Sequence, residues 1–470
     1  MRYQFKGYTA IGRRWTNAAV WLLNLAVVRG SGFLRMLVVT RLLHPRLAGY
    51  GFLAISIGQG VASVFQAGTK EVLITERRCD KALLSNAWLL DLGKATVLAG
   101  CLWILSIALP SQATTLRLAS AIPVCTALAS PFTHVLERLQ KHGAVALQAM
   151  VANVAALVMT YILLVYGMGW ASLPLAFIVG LFLQAIVSHV AAGFVPRAPI
   201  DYRLQAHIFR KSLPFMGAGL STYVGTLGVD VILASVGAIG WVAPYRAAMA
   251  ILQTLLGTLP GILVRASFSA DAATNRQRPS ALGPAIDLST IAAVTGVTLV
   301  LLPACVFVLP SMAVALYGAA WKDTAVVIPW LAVGVALKAL ASPMGMAMLS
   351  AGVVRREVVI KVAETIGTAI AIALLATRHI QLALAVVAGI SLLAMVYRIQ
   401  YFYRTRTADG MAASRLMVLP CLVSAVTLSA ASFFTPADSL GWLSATLVSL
   451  GLGLIVGVSV WFGYRYATRQ

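Results

Sequence analysis

Six ionisable side chains stand out within apolar stretches of this sequence: Arg29, Arg35, Arg246 and Lys338 are basic, and Asp230 and Glu364 are acidic. A planar guanidinium matches the paired oxygens of a phosphate or diphosphate. Positive charge set deep in a water-filled cavity focuses potential and draws in anions. A carboxylate at the same depth either locks an ion pair or exchanges a small cation. That is the chemistry of holding an anion, with a proton or sodium ion as a candidate companion. No catalytic set accompanies it. The six histidines are scattered without paired spacing, so no metal site is expected.

The basic residues are densest in VVRGSGFLRMLVVTRLL at 27–43, where Arg29, Arg35 and Arg41 fall six residues apart. On an unbroken helix each step of six turns the side chain by ~240°, so the three point in different directions. Arg41 lies at the end of the run, where snorkelling to the interface suffices. Arg29 lies near its middle, where a lipid-facing arginine costs at least ~2.5–3.5 kcal/mol, so it is the expected anion contact. Arg35 joins it only if the chain bends at Gly30 or Gly32.

The elements that must position these residues are membrane spans. The chain has 470 residues, 60% of them hydrophobic and only 11% charged. Apolar runs of the length needed to cross ~30 Å of hydrocarbon recur at 15–40, 49–66, 84–109, 116–135, 146–166, 173–192, 212–236, 242–264, 286–309, 326–349, 358–376, 382–401, 416–434 and 440–464. The expected fold class is therefore an all-α integral membrane protein of about 14 transmembrane helices. Strand alternation of the kind that builds barrels is absent from the sequence.

A proline-containing, basic stretch after the sixth run divides the chain into an N-lobe at 1–192, a cytoplasmic linker at 193–211 with an amphipathic segment, a C-lobe at 212–403, and an appended hairpin and tail at 404–470. AGYGFLAISIGQG at 48–60 and APYRAAMAILQTL at 243–255 each place a tyrosine at the start of a span, followed by small residues. The two six-helix lobes would then be parallel repeats.

The net charge of +22 is a topology signal rather than a nucleic-acid footprint. Of the 36 Lys and Arg, 26 fall on the side of the N-terminus and five on the other. This is the positive-inside asymmetry, with both termini cytoplasmic and the basic loops gripping anionic membrane lipids. MRYQFKGYTAIGRRW reads as an amphipathic lead-in rather than a cleaved signal. The five cysteines, four of them in spans, do not form a disulfide framework.

Local spacing sets further expectations. Asp91 and Lys94 form a self-neutralising i,i+3 pair, and Lys361 and Glu364 do likewise. Asp230 either pairs with Arg246 or serves the substrate or a coupling ion. Pro343 and Gly345 break the tenth span beside Lys338, and 310–325 forms the largest loop on the non-cytoplasmic side.

RGSGFLRMLVVTRLLHPRLAGYGFLAISI at 29–57 and GTLGVDVILASVGAIGWVAPYRAAMAIL at 225–252 resemble two signatures of the polysaccharide-exporter and O-antigen flippase branch of the superfamily that also holds multidrug exporters and the lipid II flippase. The first is a helix ending in a Thr-Arg-Leu-Leu turn before a Gly-Tyr-Gly start. The second is an aspartate ahead of an apolar run, a glycine turn and a tyrosine. The resemblance implies two lobes around a central cavity lined by spans 1, 2, 7 and 8, and alternating access without covalent chemistry or a resident cofactor. It implies movement of undecaprenyl-diphosphate-linked oligosaccharide across the bacterial inner membrane for surface polysaccharide synthesis. Arg29, Arg35, Arg246 and Lys338 would contact the diphosphate, and Asp230 or Glu364 would couple H+ or Na+. A polysaccharide polymerase and chain-length machinery would be partners. Met36 stands where the lipid II branch commonly has an aspartate, which points away from a peptidoglycan precursor. A cation-coupled multidrug antiporter of the same fold is an alternative, although it would want buried carboxylates. So is a membrane glycosyltransferase or polymerase on the same carrier, although it would want a large extracytoplasmic loop.

Overall fold

The computed structural model describes residues 10–66, 69, 72–73, 80–139, 141–193, 199–258, 260, 288–350 and 354–404. Among them every regular element is helical, as lipid demands of a chain whose backbone polar groups must be satisfied within each segment. Nine helices among the described residues are long and apolar enough to cross a membrane. The chain is a multi-pass membrane protein. The expected spans 13 and 14 and the first nine residues lie outside the described residues.

The packing separates two compact units, Met1–Val231 and Ile232–Gln470. The first contains α1 (Ala10–Leu42), α2 (Pro45–Gln66), α3 (Lys81–Ala108), α4 (Ala113–Arg138), α5 (His142–Val165), α6 (Ser172–Ala192) and α7 (Tyr202–Thr226). Helix α8 (Gly228–Ser235) carries the chain across the division. The second unit continues with α9 (Val242–Leu252), α10 (Leu288–Pro303), α11 (Leu309–Tyr317), α12 (Lys322–Ser350), α13 (Val354–Leu375) and α14 (Ile380–Arg404).

Small residues let these helices approach closely, as is common where lipid offers no hydrophobic drive. A methyl group on Gly58 of α2 would lie 2.7 Å from both Ala119 O and Ile122 Cβ of α4. One on Gly51 would lie 2.7 Å from Leu173 Cδ1 of α6. Gly60 lies so close under the Tyr223 ring of α7 that a methyl there would overlap it. The glycines of AGYGFLAISIGQG are thus the surfaces by which α2 touches three neighbours.

Helix α1 runs unbroken through Gly30 and Gly32, so the three arginines keep their separate directions. Three expectations are corrected. Helix α12 runs through Pro329 and Pro343 without ending. Each proline forfeits one backbone donor, a smaller loss inside a packed bundle than an unravelled turn. Gly345 instead admits α13: a methyl there would sit 2.7 Å from Glu357 Oε1. The loop expected at 310–325 is mostly helix. Pro303 ends α10 and leads into a π-helical turn at Ala304–Val308, then α11 extends to Tyr317. The chain reverses over Gly318 at φ 91° and a short 3-10 turn, with Tyr317 and Trp321 buried and their ring centres 6.3 Å apart. Arg398, one of the 26 basic residues counted outside the spans on the side of the N-terminus, lies inside α14 and is buried.

Candidate functional site

In the first unit, Arg29 and Arg35 are partly covered and Arg41 is exposed. Arg35 follows buried Ser31 by four residues, whose hydroxyl donates to Val28 O at 3.1 Å. Arg29 faces another way on the same unbroken helix, so α1 does not bring the two guanidinium groups onto one side.

Asp230 opens α8 after a turn at Leu227, where the Asp230 N–H donates to Leu227 O at 3.2 Å. A carboxylate in a first helical turn is favoured by the backbone dipoles. It is fully buried and accepts a 2.5 Å hydrogen bond from the hydroxyl of buried Ser56 on α2. Ser56 is a functional neighbour that the sequence reading missed. Its only signal is a hydroxyl between Gly51 and Gly58 on the packing face of α2.

A second polar centre joins α3 and α4. Asp91 is buried and pairs with Lys94 at 2.6 Å, as its spacing predicts. It also accepts from Thr69 Oγ1 at 2.8 Å and from Ser130 Oγ at 3.4 Å. Ser130 Oγ in turn lies 3.2 Å from His134 Nε2.

In the second unit, α9 is buried along most of its surface, yet Arg246, Met249, Ala250 and the following Gln253 are partly accessible at helical spacing. Helix α12 packs against α9 and repeats the pattern. Val335 and Ser342 are partly accessible, Lys338 is exposed, and Gly334, Leu337 and Ala341 beside it are buried. A helix facing lipid would expose a broad face. Lys338 thus carries its ammonium on a narrow exposed strip flanked by buried neighbours.

Glu364 is partly buried and accepts a 2.8 Å hydrogen bond from Ser391 Oγ of α14. The pair with Lys361 is corrected, because Lys361 Nζ lies 3.8 Å from Glu357 instead. Glu357 is buried and takes both arms of Arg398, Nε to Oε2 at 3.0 Å and Nη2 to Oε1 at 2.8 Å. Arg398 was hidden from sequence reading because it stands at the end of an apolar run, where any basic residue looks interfacial. Glu364 also lines a groove of about 580 Å³ between α13 and α14, with Arg356, Ile360, Leu393 and Tyr397.

The sign of the charge is therefore uneven. The described intramembrane carboxylates Asp91, Asp230, Glu357 and Glu364 each accept from a neighbouring donor. Among the described residues, the most accessible charge deep in a span is the cation Lys338.

The sequence profile of the polysaccharide biosynthesis protein family matches residues 38–326, more than half of the chain. The chain belongs to that family. No curated protein matches it by sequence. Its fold is that of the lipid II flippase MurJ in an inward closed conformation, with a TM-score of 0.69 over 97% of this chain and 100% of that one at 13% identity. An inward-facing multidrug-resistance transporter of the MOP superfamily gives 0.55 at 14% identity, covering 88% of this chain and 96% of that chain. A MOP superfamily transporter from Pyrococcus furiosus, described as having a binding pocket of reverse polarity, gives 0.51 at 14% identity over 88% and 96%. These likenesses establish the fold.

Proposed function

We propose that this protein is a flippase that moves oligosaccharide linked to a polyprenyl diphosphate, undecaprenyl in the family's usual setting, across the bacterial inner membrane. The observation that carries the reading is the accessible Lys338 on α12, packed against α9 with its partly accessible Arg246. Two cations on adjoining helices suit a diphosphate, and Arg29 of α1 is a separate candidate anion contact. The sugars would travel in water and the prenyl chain in lipid, so the protein makes and breaks no covalent bond. The same polarity speaks against organic cations, which need carboxylates that are not already held by donors.

Asp230 and Glu364 are our candidates for coupling to H+ or Na+, each already held by one serine hydroxyl. A polysaccharide polymerase and chain-length machinery would act on the product. Both termini lie on the cytoplasmic side in this reading.

The test is complementation and flux together. Arg29→Ala and Lys338→Met should each lower flipping of a fluorescent polyprenyl-diphosphate sugar in vesicles by at least tenfold, with Lys338→Arg close to wild type. Full flux through Lys338→Met would remove the diphosphate role from that residue.

A further inference from the structure

The amino-terminal third of α7 has three distinct faces. Ile208 is fully buried among Val72, Leu73, Leu83, Leu84 and Ala87. At ~100° per residue, Tyr202, Phe209 and Leu213 lie roughly 120° to one side of Ile208. Arg203, His207, Arg210 and Lys211 lie roughly 115° to the other. All seven are exposed, Tyr202 by 77% and Leu213 by 56%. An aromatic and aliphatic strip therefore runs beside a basic one, meeting at Ala206 and Arg210. Between the cations is a concavity of about 460 Å³ lined by Arg203, Ala206, His207, Arg210 and Lys211.

The platform is rigid. Asp201 caps the helix by accepting from the backbone N–H groups of Arg203 at 2.9 Å and Leu204 at 3.1 Å, which commits its carboxylate away from the basic strip. Its own N–H donates to Asn86 Oδ1 at 2.8 Å, and Asn86 Nδ2 donates to Pro199 O at 3.3 Å. Arg138 Nη1 ties α4 to Leu73 O at 2.5 Å, beneath the same apolar cluster. The helix then continues unbroken to Thr226, into the apolar run at 212–236 that the sequence marks as a span.

We propose that this face lies at the membrane surface and is a binding site for an anionic phospholipid. The headgroup phosphate occupies the concavity against Arg203, Arg210 and Lys211, and the acyl chains follow Tyr202, Phe209 and Leu213. Charge complementarity selects the headgroup, and the adjoining apolar strip selects a lipid over a soluble polyanion. The site is separate from the deep cations assigned to the substrate and stands whether or not the flippase reading does.

Native mass spectrometry of the purified full-length protein, titrated with cardiolipin, phosphatidylcholine or inorganic phosphate, tests it. Wild type should retain cardiolipin in preference to phosphatidylcholine. Arg203→Gln, Arg210→Gln and Lys211→Gln combined should weaken cardiolipin on the order of 100-fold, from about fivefold per charge. Arg210→Gln alone, expected at about fivefold, serves if the triple variant does not fold. Phe209→Ser with Leu213→Ser should weaken cardiolipin and leave phosphate binding unchanged. Equal cardiolipin retention by the charge variants and wild type would overturn the proposal. Displacement of the lipid by millimolar phosphate, or by a polyprenyl diphosphate at equimolar amount, would overturn it too, reassigning the concavity to a free anion or to the substrate.

Discussion

The buried pair of Glu357 and Arg398 is the sharpest target for a stability measurement. The carboxylate is 1% exposed and the guanidinium side chain 4%, joined by two hydrogen bonds of 2.8 and 3.0 Å. Arg398→Met removes both bonds at once and leaves the carboxylate facing Lys361 at 3.8 Å, whose side chain is 55% exposed. So distant and hydrated a cation recovers little of the lost attraction. Breaking one side of a buried pair costs ~3–5 kcal/mol, whereas replacing both sides with apolar groups is often neutral. For a unit of this size, that corresponds to a fall of roughly 10 °C in apparent unfolding temperature. The assay is thermal unfolding of Arg398→Met, Glu357→Leu and the double variant in one detergent, followed by size-exclusion fluorescence. The single variants should each lose about 10 °C, and the double should recover at least half of it. Additive losses in the double variant would refute the reasoning, because they would show that the two side chains stabilise α13 and α14 independently.

Two further outcomes follow from the packing of the first unit. Gly60→Ala puts a methyl into the Tyr223 ring and should cost ~1–3 kcal/mol by overpacking, with partial rescue by Tyr223→Leu in the same thermal assay. Ser56→Ala removes the hydroxyl that donates to Asp230 and should cost ~1.5–3 kcal/mol, as expected for a hydrogen bond to a charged group. No measurable change would mean that this contact does not fix α8 against α2.

The spans were legible because hydropathy over some twenty residues is a property of the sequence itself. Most described residues of the first twelve expected runs fall on helix, although the run at 212–236 is interrupted at Leu227. What was not legible is which neighbour each polar group meets. The Asp91–Lys94 pair could be found because both residues lie on one helix, where spacing fixes distance. Glu357 and Arg398 are 41 residues apart, and Ser56 and Asp230 are 174 apart, so only tertiary packing joins them. Local rules also misread Pro343 and Gly345. In water they signal a helix end, but in a bundle the proline is tolerated and the glycine makes room for Glu357. Lys338 shows the opposite case. Its depth was visible in sequence, and the structure adds the narrow accessible strip that makes depth meaningful.

The central claim, that this fold carries a polyprenyl diphosphate between leaflets, is tested most directly by flux. Purified protein is reconstituted into vesicles that contain a fluorescent polyprenyl-diphosphate oligosaccharide, and the fraction reaching the outer leaflet is read by quenching with a membrane-impermeant reductant. The account predicts protein-dependent flipping that is lost in Lys338→Met and competed by unlabelled polyprenyl diphosphate. Flipping no faster than in protein-free vesicles, together with accumulation of a cationic dye by the same preparation, would contradict it.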